Sequence, residues 1–221
     1  MDATLHPRIK ICCISSAAEA RLAVMCSASA VGLVSHMPSG PGVISEDLIA
    51  RIVPSVPPGV ATFLLTSAQS AKEIITQQRR TRANTIQLCD SLDVPDYAKL
   101  REAMPGIALV QVIHVTGEVS IREAVEAAPH VDAILLDSGN PSLAVKELGG
   151  TGRRHDWSVS RRIREALEAP IYLAGGLRAE NVREAIEQVG PFGLDVCSGV
   201  RSNGRLDERK LRAFVEEVFG P

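Results

Sequence analysis

Aromatic residues make up only 3% of the 221-residue chain, and its 24 lysines and arginines nearly balance its 26 aspartates and glutamates. A basic groove lined with stacking platforms needs more of both, so no nucleic-acid partner is expected. Long apolar runs are also missing. None reaches the roughly 18 residues of a membrane-spanning helix, and no membrane partner is expected. The opening MDATLHPRIK lacks the charged-then-apolar layout of a secretory signal, which makes the cytoplasm the expected location. The five cysteines (Cys12, Cys13, Cys26, Cys89 and Cys197) are odd in number and contain no C-x-x-C pair. The five histidines show no H-x-x-x-H spacing. These patterns argue against a disulfide framework and against a metal centre.

What is present is an alternation. Short, nearly continuous apolar runs lie at 8–14 (RIKICCI), 30–34, 60–65, 85–89, 108–113, 133–137, 171–175 and 193–197. Such runs suit parallel strands buried on both faces. Amphipathic stretches lie between them, among them 17–28, 120–128, 179–189 and 207–219, with Asp156 and Asp207 where helix N-caps belong. Eight strand–helix units predict one α/β domain over residues 1–221, a single-domain (β/α)8 barrel, with residues 1–7 as a flexible N-terminal extension. An open doubly wound sheet is the rival topology.

In a closed barrel the active site lies where the strands end. Two late segments, LAGGLRAENV (173–182) and DVCSGVRSNGRLD (195–207), each end a strand in small residues. Their glycines let backbone N–H groups at Gly175, Gly176, Ser198 and Gly199 approach a phosphate closely. Asp137 ends the sixth run at the barrel mouth, where a carboxyl group can serve as a general acid or cap a turn. The loop after it carries GGTGRRHDW (149–157), a glycine cluster with Arg153 and Arg154 as candidate anion contacts. Cys12 and Cys13 end the first run. Alternation along a strand predicts that at most one of them faces the barrel mouth while the other faces the helices. A lone cysteine in such a strand is a small core residue unless something else gives it a role.

The order of KICCI, LLDS, GGTGRRHDW, LAGGLRAENV and DVCSGVRSNGRLD resembles the phosphoribosylanthranilate isomerase family of tryptophan biosynthesis, from about residue 8 onward. The resemblance implies a cofactor-free barrel that carries out an Amadori rearrangement of a phosphorylated sugar substrate. It places Cys12 as general base, which leaves Cys13 facing the helices, and Asp137 as general acid. It assigns Asp195, Gly150, Gly152 and Arg153 to the substrate, and the glycine turns to its phosphate. A monomer and a homodimer both fit the composition.

The chain departs from the family pattern in three places. The segment HMPSGPGVIS (36–45) carries no Lys or Arg where the family grips the anthranilate carboxylate. QLCD (87–90) replaces a Q-L-H-G segment, and Cys13 replaces a glycine. Arg153, Arg154 and Arg201 are the candidate replacement cations. The alternative function is a repurposed phosphate-binding barrel that acts on or senses a different phosphosugar.

Overall fold

The structure, a computed structural model, describes residues 6–220. Eight strands close into one parallel barrel in sequence order: β1 (Arg8–Ile11), β2 (Ala30–Val34), β3 (Ala61–Thr66), β4 (Thr85–Leu88), β5 (Ala108–His114), β6 (Ala133–Asp137), β7 (Ile171–Leu173) and β8 (Gly193–Val196). Closure is made by β1 and β8, with Lys10 opposite Asp195 and Ile11 opposite Val196. A helix follows each strand: α1 (Ala17–Met25), α2 (Glu46–Ile52), α3 (Ala71–Thr81), α4 (Val94–Ala103), α5 (Val119–Ala127), α6 (Trp157–Ala166), α7 (Ala179–Val189) and α8 (Glu208–Phe219). None of the described helices is long and apolar enough to cross a membrane.

Strand alternation splits the core in two. Ile9, Ile11, Val31, Leu33, Leu64, Ile86, Ile134 and Leu194 face outward and pack against the helices. Ala30, Val34, Phe63, Leu65, Val112 and Leu135 fill the interior. Because each strand is covered on both sides, its sequence reads as an apolar run rather than an alternation. The expected N-caps form. The Asp156 side chain accepts from the Ser158 N–H, and that of Asp207 accepts from the Lys210 N–H.

Three elements are shorter than their apolar runs, each for a backbone reason. The first strand stops at Ile11 because Cys13 turns the chain with φ 62°, and α1 stops at Met25 ahead of Ser27 at φ 67°. The seventh strand stops at Leu173 before Gly175 and Gly176, at φ 83° and 65°. Of the expected N-terminal extension, residues 1–5 lie outside the described residues. His6 and Pro7 are held against the barrel: His6 Nδ1 lies 3.2 Å from the Val218 carbonyl, its ring meets Phe219 edge-on at 5.5 Å, and Pro7 is buried.

Candidate active site

The C-terminal mouth of the barrel opens into a cleft lined by the ends of the strands and the loops that follow them. Beneath its floor the Lys10 ammonium meets the Asp195 carboxylate at 2.8 Å, with Lys10 fully buried and Asp195 nearly so. Lys10 also sits 5.2 Å from the centroid of the Phe63 ring. Burial disfavours the Lys10 charge, yet Asp195 and the nearby sulfurs of Cys12 and Cys89 hold its pKa above the usual lysine value. Burial pushes Asp195 up despite Lys10, and Asp137 adds to that rise. Lys10 was not among the residues picked out from sequence. Its one signal is a lysine between two isoleucines that face the helices, which puts it inside the barrel.

Cys12 lines the cleft directly above this pair. Gly32 on β2 makes the room: a Cβ there would stand 3.0 Å from Cys12 Sγ and 3.1 Å from Lys10 Nζ. The expectation that Cys13 faces the helices is wrong. Alternation holds only while the strand lasts, and at φ 62° Cys13 has left it, so its side chain also turns into the cleft. There its Sγ lies 2.8 Å from Cys197 Sγ and packs against Gly42 and the Pro41 carbonyl. The turn is clamped from behind. Arg201 Nη2 donates to the carbonyls of Cys12 (2.9 Å) and Cys13 (2.6 Å), and Arg201 Nη1 pairs with Glu19 at 3.1 Å.

Asp137, at the end of β6, faces the same cleft. Its Oδ1 accepts from the Ser138 N–H at 2.7 Å, and Ser138 Oγ in turn bonds Thr151 Oγ1 at 2.7 Å. Gly149 packs so closely on Asp137 Oδ2 that no side chain fits there. Gly150 and Gly152, both with positive φ, line the cleft beside it. Gly175, Gly176 and Ser198 complete that wall, with Gly199 next in the chain. The N–H groups of these four residues donate to no acceptor among the described residues, which leaves them free for an anion. His155 sits under this wall, bonded through Nε2 to Ser160 Oγ at 2.7 Å; burial lowers its pKa to about 4, so it is neutral at physiological pH.

The three candidate cations are elsewhere. Arg153 is absent from the lining and pairs with Glu147, while Arg154 stacks on Trp157 at 3.6 Å. Arg201 is spent on the backbone clamp. Their side chains are drawn to partners on their own side of the loops, which residue type alone does not reveal. The lining also includes the apolar Met37, Pro41 and Leu148, with Pro41 packed on Gly150, and no Lys or Arg lines the cleft. Within QLCD, Cys89 is buried, and Asp90 turns away to pair with Lys146 at 2.6 Å. Among the described residues no cluster of three His, Cys, Asp or Glu side chains is arranged to hold a metal ion.

A closed parallel barrel with a thiol, a carboxyl group and free backbone N–H groups around one mouth defines a (β/α)8-barrel enzyme. The model of the N-(5'-phosphoribosyl)anthranilate (PRA) isomerase family matches residues 9–217, and the chain belongs to that family. An N-(5'-phosphoribosyl)anthranilate isomerase 2 of Methanosarcina mazei is 38% identical over 213 residues, spanning 96% of this chain and 93% of its own. The crystal structure of the Thermotoga maritima phosphoribosyl anthranilate isomerase matches with a TM-score of 0.83 at 30% identity, covering 97% of this chain and 100% of that one. A phosphoribosyl anthranilate isomerase crystallised with reduced 1-(o-carboxyphenylamino)-1-deoxyribulose 5-phosphate matches at TM-score 0.81 and 28% identity, again over 97% and 100% of the two chains.

Proposed function

We propose that the protein converts N-(5'-phosphoribosyl)anthranilate to 1-(2-carboxyphenylamino)-1-deoxyribulose 5-phosphate, with Asp137 as general acid and Cys12 as general base. One observation carries the reading. Cys12, just past the end of β1, and Asp137, at the end of β6 three strands away around the closed barrel, line the same cleft, whose wall is the glycine turns after β7 and β8. The substrate phosphate rests on the N–H groups of Gly175, Gly176, Ser198 and Gly199, and the sugar lies across Gly150 and Gly152. Held at that end, the ribose is positioned between the two reacting groups. Asp137 gives its proton to the ring oxygen as the furanose opens, leaving an iminium whose positive charge acidifies the C2–H. The Cys12 thiolate removes that proton, with the Lys10 ammonium close behind the sulfur, and the enolamine becomes the ketose by protonation at C1. Asp195, on the Lys10 side of the floor, meets the sugar hydroxyls. Solvent deuterium tests the proton transfer: in D2O the wild-type product carries label at C1, and Cys12→Ser forms no labelled product. Undiminished labelled product from Cys12→Ser removes the thiol from the role.

A second reading rests on the lining of the cleft, which has no Lys or Arg to face the carboxylate of an anthranilate. On that reading the barrel acts on or senses another phosphosugar. Inorganic or ribose phosphate would then bind, with Cys12 and Asp137 dispensable for that binding, while phosphoribosylanthranilate is left unchanged.

A further inference from the structure

The proposed reaction uses one of the four thiols that line the cleft. Two of the others, Cys13 and Cys197, are free and face each other with their sulfurs 2.8 Å apart. A disulfide bond is about 2.05 Å long, so closure needs a movement of less than about 1 Å. The backbone holds the two thiols in this relation. Cys12 N–H donates to the Val196 carbonyl at 2.9 Å, which sets the ends of β1 and β8 side by side. The left-handed turn at Cys13 swings its side chain toward β8, and Arg201, four residues beyond Cys197, grips the Cys12 and Cys13 carbonyls. Gly42 and Pro41 close the far side of Cys13. Cys197 is half-buried and lines the cleft, so a small oxidant entering the mouth reaches it first; Cys13 lies buried beside it.

We propose that Cys13 and Cys197 are an oxidative modification site, a dithiol that hydroperoxides close to a disulfide and that dithiol reductants reopen. The chemistry balances in two steps. Cys197 thiolate attacks one oxygen of the hydroperoxide; the O–O bond breaks, a Cys197 sulfenic acid forms, and the other oxygen leaves as water or alcohol after taking up a proton. Cys13 sulfur then attacks Cys197 sulfur; the S–O bond breaks, hydroxide leaves as water with the Cys13 proton, and the S–S bond forms. Two thiols are oxidised by two electrons and one peroxide is reduced. The contact with Cys13, opposed by burial and helped by Arg201, lowers the Cys197 pKa, while contacts with Cys12 and Cys197, together with burial, raise that of Cys13. This makes Cys197 the attacking thiolate and Cys13 the resolving thiol. The disulfide would pull on Cys12 through Cys13 and on Ser198 through Cys197, so turnover falls; this consequence alone rests on the proposed function.

The test is mass spectrometry of the full-length protein after hydrogen peroxide, digested with trypsin without reductant. The expected result is peptide 11–21 joined to peptide 184–201, an intact mass lower by two hydrogens, and reversal by dithiothreitol. Peptide 11–21 contains both Cys12 and Cys13, so two variants assign the bond. The crosslink persists in Cys12→Ser and disappears in Cys13→Gly, a substitution the left-handed turn accepts without strain. A crosslink that survives in Cys13→Gly, or oxidation to sulfinic acid with no crosslink, overturns the proposal. Turnover is read in parallel: a loss of tenfold or more on oxidation, restored by dithiothreitol, is expected, and a crosslink that leaves turnover unchanged overturns its regulatory effect. The mass readout stands whatever the substrate.

Discussion

Lys10 and Asp195 place two opposite charges inside the barrel, 2.8 Å apart and shielded from water. Removing one partner of such a pair leaves the other buried and uncompensated, which costs about 3–5 kcal/mol. Lys10→Met is therefore expected to lower the unfolding free energy from urea titration at neutral pH by that scale, and Lys10→Met with Asp195→Leu to lower it less. Equal loss in the single and double variants would mean that the pair contributes no coupling. Single residues were unevenly legible in the sequence. Cys12 and Asp137 line the cleft where strand-end reasoning puts them, because each continues the inward row of its strand to the mouth. Cys13 was misplaced because the end of β1 is set by a left-handed backbone turn, which two adjacent cysteines do not announce. Arg153, Arg154 and Arg201 were legible as cations but not as cations already paired, since their partners Glu147, Trp157 and Glu19 are fixed only by how the loops pack.

The loop from β6 to α6 carries much of the site, and it is fastened at both ends. Ser138 and Thr151 tie it to Asp137, and His155 ties it to α6 through Ser160. Burial holds the His155 pKa at about 4, below the usual 6.5. In that window the unfolded chain binds a proton that the folded chain refuses, so the folded state gains stability as pH rises and loses it as pH falls from 6.5 toward about 4. Urea unfolding across this range is expected to show a shallower pH slope for His155→Gln than for the wild type. Identical slopes would show that His155 titrates freely. Elements were more legible than residues. β2, β6 and α7 match their apolar or amphipathic runs residue for residue, because each is bounded by turn-forming residues on both sides. β7 and α1 were overrun by two or three residues, where positive-φ backbone ends an element before its apolar character does.

At the scale of the whole molecule, closure of β1 onto β8 makes the site. It brings Cys12 from the first strand beside Asp195 from the last and sets both across the mouth from Asp137. Eight alternating units made the barrel legible, and the ordered motifs at the ends of the first, sixth, seventh and eighth strands made its family legible. The 36–45 segment was legible only as a departure: it carries no Lys or Arg, the cleft it borders is lined by none, and Lys146 is drawn off to Asp90. The central claim is the isomerisation of N-(5'-phosphoribosyl)anthranilate with Asp137 as acid. Steady-state turnover of the freshly prepared compound, followed by loss of its fluorescence, tests it most directly, with wild type and Asp137→Asn side by side. The account predicts robust wild-type turnover and a loss of at least a hundredfold in kcat for the variant, the scale of a general acid–base contribution. Wild-type protein that binds ribose phosphate yet leaves phosphoribosylanthranilate unchanged, or an Asp137→Asn variant as fast as wild type, would contradict it.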